Sequence, residues 1–187
     1  MMTILHLIPT LEGGGAERQL AMLGAEQSRR GWCVHLGVRR AGQHSKLLSS
    51  SGVAIHFLGD LRGPNPRLLF RIKALIEEIK PDVVQTWLPQ MDFIGGIAAL
   101  WTSIPWIVSE RSSAHRFLGL TNWARYFLTR FAGAVVANSL GGVAHWRSKL
   151  PKGSSIFQVA NAVDVAKIRK AVSGLGACSD SNDGSKE

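Results

Sequence analysis

The chain has 187 residues, with 22 Lys and Arg against 13 Asp and Glu, for a formal net charge of +9 and a sequence pI near 10.3. That is long enough to bury a core as one domain, and the basic balance points to an anionic partner without choosing among nucleotide, lipid surface and nucleic acid. Only Cys33 and Cys178 are present, which excludes a disulfide framework or a cysteine metal cluster and sets a reducing cytoplasm as the default.

Ile4 to Ile8 reads as a strand buried on both faces and stopped by Pro9. Gly13, Gly14 and Gly15 follow and open a helix whose free N–H groups and positive dipole end would face an anion, so the turn is a candidate phosphate site. A structural turn is the competing reading, and the turn alone does not separate the two. Leu20 and Leu23 with Ala16, Ala21 and Ala25 make the helix amphipathic, and it should end near Gly31. A second strand over Val34–Val38, a short helix over Gln43–Ser51, a third strand over Val53–Leu58 and a loop over Asp60–Pro66 come next.

Leu68 to Ile79 carries apolar residues at helical spacing and ends at Pro81. Asp82–Thr86 reads as the fourth strand, Asp92–Trp101 as a helix, Trp106–Ser109 as the fifth strand and Phe117–Phe131 as a long aromatic helix. Ala134–Ala137 and Ile156–Val159 are the last strands, around a helix over Leu140–Leu150. The uncharged stretch from Phe93 to Ser109 falls short of a membrane span and is broken by Gly95, Gly96 and Pro105. No basic segment precedes the first apolar run, so a signal peptide is not expected. Alternation of strand and helix predicts an α/β fold: a Rossmann-like parallel sheet with helices on both faces and ligands at the carboxyl ends of the strands. Residues 1–171 are expected to form the domain and 172–187 a disordered polar tail.

Four segments, ILHLIPTLEGGGAERQL, KPDVVQTWLPQMDFIGGIAA, AVVANSLGGVAHW and VANAVDVAKI, resemble in order and spacing the N-terminal domain of family-four glycosyltransferases, one half of a GT-B fold. The resemblance implies a retaining enzyme that moves a sugar from a nucleotide-sugar donor to a glycan or lipid-linked acceptor, with no metal and no further cofactor. It implies that the N-terminal domain holds the acceptor, while a C-terminal domain binds most of the donor and supplies the paired glutamates of the EX7E motif. Gly13, Gly14 and Gly15 would then reach the donor diphosphate across a cleft. Asn161 to Asp164, NAVD, matches the family's NGVD at the interdomain crossover, with Ala162 in place of glycine. No donor-binding half follows in this sequence, so the chain alone is expected to be catalytically silent, and no residue is assigned a catalytic role. A separate C-terminal domain is a possible partner.

On the acceptor side the candidates are Glu17, Trp87, Glu110 and Arg111. Family members often carry histidines where this chain has Gln85 and Trp87; the Trp87 face could stack on a sugar ring. Glu110 and Arg111 follow a buried strand, where an acceptor or simply solvent would meet them. Asn138 and Ser139 are read as helix caps rather than ligands. Residues 115–131 mix aromatics with Arg116, Arg125 and Arg130, so they could lie on an anionic membrane surface at its inner, cytoplasmic face, although packing on the sheet competes. His6, His35, His44, His56 and His145 show no metal-ligand spacing, and no metal is expected. Two rival readings remain. Gly13, Gly15 and Arg18 with Arg39 and Arg40 outline an NADP-type dinucleotide module, and the domain could instead be a truncated, non-catalytic binding remnant. Nucleic acid is an unlikely partner, because the basic residues are scattered.

Overall fold

The computed structural model describes residues 1–60, 65–111 and 120–163, together with positions 165, 169 and 172; the side chains of 47 and 120–122 are outside that description. Asp164, residues 112–119 and all of 173–187 lie outside it as well, and with them the expectations placed on Asp164, on the start of the aromatic helix and on the tail past position 172.

The strands are β1 (Thr3–Thr10), β2 (Cys33–Arg40), β3 (Ala54–Phe57), β4 (Val83–Trp87), β5 (Trp106–Glu110), β6 (Ala134–Ala137) and β7 (Ile156–Gln158). Between them run α1 (Gly15–Arg29), α2 (Ser45–Ser50), α3 (Pro66–Ile79), α4 (Pro89–Trp101), α5 (Leu120–Thr129) and α6 (Leu140–Lys149). All seven strands pair parallel in the order β3-β2-β1-β4-β5-β6-β7. The chain starts in the middle, winds to one edge, returns, and winds to the other.

Period-two alternation splits the core into two layers. Ile4 and Ile8 of β1 join Val34, Leu36, Leu20, Ala21 and Leu48 under α1 and α2. Leu5 and Leu7 point the other way, into a larger cluster with Val84, Val108, Ile72, Ile94, Trp106 and Trp146 that packs with α3, α4 and α6. Three indoles are fully buried, and each N–H has an acceptor: Trp87 on His6 Nδ1 at 3.2 Å, Trp106 on Thr86 Oγ1 at 2.9 Å, Trp146 on Glu110 Oε2 at 3.2 Å.

Several boundaries move from their predicted places. Pro9 does not stop β1, which runs on to Thr10 beside β2; β4 pairs β1 only as far as Leu7, so the missing N–H leaves no gap on that side. Asp82 sits just outside β4, where its carboxylate accepts from the Thr3 backbone N–H at 2.7 Å. Helices α3 and α4 each begin on a proline, earlier than the apolar spacing shows, since fixed φ suits the first turn and the missing N–H is an orphan there anyway. Asn65 caps α3 through Arg67 N at 2.9 Å, and Ser139 caps α6 through Gly142 N at 3.1 Å, as expected of Ser139.

Candidate functional site

The glycine turn lies at the carboxyl end of β1. Gly13 has φ +132°, a backbone that favours glycine, and the Gln43 side chain closes over it, so a Cβ there would lie 3.2 Å from Gln43 Cδ. Gly14 is the N-cap of α1, and Glu17 folds back against it; a Cβ on Gly14 would lie 2.9 Å from Glu17 Cδ. Glu17 is buried and accepts from Thr10 Oγ1 at 3.4 Å. A carboxylate in the first turn of a helix favours the dipole and occupies part of the space an anion would take. Gly15 is different: it is exposed and nothing lies within 4 Å of the place a Cβ would fill.

Positions 15, 19, 22 and 26 of α1 share one helix face. From Gln19 to Glu26 that face forms one wall of a cleft of about 540 Å³. Its floor and far wall are Gln85 and Trp87 of β4, Val136 of β6, Arg111 just after β5, and Val159, Ala160 and Ala162 just after β7. Gly15 stands one helical turn before Gln19, at the end of the same wall.

The cleft is held shut on one side by amides. Gln19 Nε2 donates to Ala162 O at 2.8 Å and Gln19 Oε1 accepts from Ala162 N at 2.7 Å, across 143 residues of chain. Arg111 lies over the Trp87 ring, its Cζ 5.0 Å from the centroid, and donates from Nη1 to Asn161 Oδ1 at 3.0 Å and to Val159 O at 3.4 Å. Burial pulls the Arg111 guanidinium below its ordinary value. Its Nε–H is buried and has no acceptor among the described residues.

Trp87, Arg111 and Asn161 are thus brought together, whereas Glu110 is not with them. Glu110 is 1% exposed, on the opposite face of the sheet from the cleft. There Arg125 bridges it, Nη2 to Oε2 at 2.9 Å, to the fully buried Asp92 of α4, Nη2 to Oδ2 at 2.6 Å. The expectation that Glu110 borders solvent fails because Arg125 of α5 and Trp146 of α6 both donate to its carboxylate and bury it. Trp87 also differs from expectation: it has no exposed surface, and Arg111 covers the ring face that a sugar would stack on.

The reading of residues missed His6 and Gln27. His6 is fully buried; Trp87 donates to its Nδ1, so the proton sits on Nε2 and faces Gln27 Oε1 at 2.8 Å. Burial pulls its imidazole down to about 4, against the pull of the Gln27 hydrogen bond, so it is neutral at physiological pH. Arg39 and Arg40, the candidate 2′-phosphate grip, are both committed: Arg39 to Gln90 at 2.8 Å and Asp60 at 3.3 Å, Arg40 to Glu12 at 3.4 Å and Asp60 at 3.6 Å.

A seven-strand parallel sheet of this order, with helices on both faces and a cleft at its carboxyl side, is a Rossmann-like α/β fold. It superposes on HepE of Anabaena, solved with UDP-glucose, with a TM-score of 0.75 and 18% identity, covering 96% of this chain and 51% of that one. Sucrose-phosphate synthase from Thermosynechococcus elongatus gives 0.68 at 14% identity, over 92% of this chain and 53% of that one. MurG of Acinetobacter baumannii gives 0.59 at 18%, over 83% and 44%. The chain therefore spans about half the length of these structures. The model of Glycosyltransferase Family 4 matches residues 13–167, and the chain belongs to that family. Among curated proteins none matches.

Proposed function

We propose that this chain is the acceptor-side half of a retaining, nucleotide-sugar-dependent glycosyltransferase, acting at the cytoplasmic face of a membrane with a donor-binding half that supplies the catalytic charges. The observation that carries the reading is the shared wall: the open Gly15 at the start of α1 and the cleft under Gln19 to Glu26 lie on one helix face, so a diphosphate at the turn and an acceptor in the cleft would be neighbours. The UDP-glucose complex of HepE supports a nucleotide-sugar donor for a fold of this kind. Asn161 stands at the crossover toward the second half and holds Arg111 in place.

Among its described residues this half offers no preorganised charge pair for a departing diphosphate, so on this proposal it binds without turnover when alone. The test is a calorimetric titration of the chain with UDP-glucose and with NADPH, followed by an assay for UDP release. Weak UDP-glucose binding, no NADPH binding and no release are expected. Tight NADPH binding beside silence toward UDP-glucose overturns the assignment, and UDP release by the chain alone overturns the half-site reading. The commitment of Arg39 and Arg40 to Asp60 and Glu12 argues against the dinucleotide alternative.

Membrane contact belongs to the same proposal. Trp123, Phe127 and Phe131, four residues apart along and just past α5, are 68%, 48% and 58% exposed, and the Trp123 and Phe127 rings stack at 5.9 Å. A solvent-facing aromatic row on a chain of charge +9 suits an anionic interface. Arg125, counted on sequence among the basic residues of that surface, is buried and takes no part.

A further inference from the structure

The cleft's polar side chains are nearly all spoken for. Both ends of the Gln19 amide are taken by Ala162. Gln85 Nε2 donates to Ser109 Oγ at 2.6 Å. Glu26 is turned to Arg29 and Arg30, each at 2.7 Å. The remaining lining is Met22, Leu23, the Trp87 edge, Val136, Val159 and alanine. Such a wall is poor in free groups for the hydroxyls of a sugar ring, whose recognition needs several convergent donors and acceptors.

Arg111 is the exception. Its acceptors among the described residues are neutral oxygens, its Nε–H finds none, and its ring partner Trp87 contributes only a quadrupole. A half-buried guanidinium facing largely apolar walls, with no carboxylate bonded to it among the described residues and the nearby Glu26 turned to Arg29 and Arg30, holds charge that an oxyanion would neutralise, with bidentate geometry available to phosphate and carboxylate alike. We infer that the cleft binds an amphipathic oxyanion: a phosphate or carboxylate head on Arg111, with an aliphatic chain along Met22, Leu23 and Val136. This gives the acceptor of the proposed transferase a chemical class, and it rests on that reading only for its biological meaning; the binding itself stands on the cleft.

The test is calorimetry on the full chain, below the aggregation concentration of each probe, with geranyl phosphate, octanoate, geraniol and inorganic phosphate. At least one amphipathic anion is expected to bind about tenfold or more tighter than geraniol and than inorganic phosphate, since head and tail each contribute. The tighter of geranyl phosphate and octanoate names the head group. Arg111→Gln should weaken that binding about tenfold or more. Ala160→Glu, at an exposed position of the cleft rim, puts a carboxylate in the anion's place and should do the same without touching the core. A double variant of the α5 row, Trp123→Ser with Phe127→Ser, should bind as the parent does. The inference is overturned if neither amphipathic anion binds, if Ala160→Glu binds unchanged, if inorganic phosphate alone binds as tightly, or if the α5 variant rather than Arg111→Gln abolishes binding. Any of these leaves the UDP-glucose titration, which probes the glycine turn, to judge the transferase reading separately.

Discussion

Replacing Arg125 by leucine tests the buried charge cluster that binds α4 and α5 to the end of β5. Arg125, Asp92 and Glu110 are 3%, 0% and 1% exposed as side chains, and the guanidinium reaches Asp92 through both Nη2 at 2.6 Å and Nε at 2.8 Å. Breaking a buried pair by deleting one partner typically costs about 3–5 kcal/mol, because the other charge is left uncompensated. Here one guanidinium serves two carboxylates, so the upper part of that range is expected, a large share of a stability of about 5–15 kcal/mol. For a chain of this size that corresponds to a fall in Tm of about 8–20 °C.

The pH dependence carries the sharper signature. Burial already pushes the Asp92 carboxyl up to about 6, against the pull of Arg125 and Thr86. Without Arg125 it rises further. A carboxyl whose folded value lies above its unfolded one gives stability at acid pH that is lost as pH climbs through the folded value. The deficit of Arg125→Leu against the parent should therefore be smaller at pH 5.5 than at pH 8, as read from urea unfolding at the two values. A loss under about 1 kcal/mol at pH 8, or a deficit that shrinks with rising pH, refutes the reasoning.

His6 works in the opposite sense: its folded value near 4 lies below the ordinary 6.5 of an imidazole, so stability is lost as pH falls from about 6.5 to 4, by about 3 kcal/mol from this group. His6→Asn should remove that slope in urea titrations; because Asp92 acts oppositely over part of the window, the quantity to read is the difference between the two chains. Gly96→Ala places a Cβ 2.6 Å from Trp106 Cζ2 in the core, and a loss of about 1–3 kcal/mol is expected; an unchanged urea midpoint would show that α4 does not pack this closely on β5. Gly15→Ala, in open space at the start of α1, should raise stability by about 0.5–1 kcal/mol while weakening UDP-glucose binding; stronger nucleotide binding contradicts the diphosphate role of the turn. Sedimentation with anionic vesicles at low salt should be halved or worse in Trp123→Ser with Phe127→Ser, and equal sedimentation of parent and variant ends the membrane proposal.

The sheet was legible because each strand is a short apolar run set off by turn residues, and parallel strands buried on both faces advertise themselves that way. Helix and strand ends were less so: Pro9 read as a stop and Pro66 as loop, but the effect of Pro9 depends on which neighbouring strand needs the missing N–H, a tertiary matter, and Pro66 opens α3 because a first-turn N–H has no partner anyway. Trp87, Arg111 and Asn161 were named one by one; that they meet was not visible, since 24 residues separate the first two and 50 the last two. Glu110 and Arg125 were misjudged for one reason. A charge after a strand, or within an aromatic helix, reads as solvent-facing until its partners are known, and Asp92 lies 33 residues from Arg125. His6 inside an apolar strand announced burial without revealing the indole and amide that hold its tautomer.

The reciprocal amide pair between Gln19 and Ala162 ties α1 to the chain just after β7. If a second lobe pairs with this half as proposed, its movement would have to stretch two hydrogen bonds anchored one turn from Gly15, and would be felt first as a pull on the helix that presents the glycines. Under that proposal, closure would seat the glycine turn and release it by the same stroke reversed. The domain would report the position of its partner before any substrate arrives.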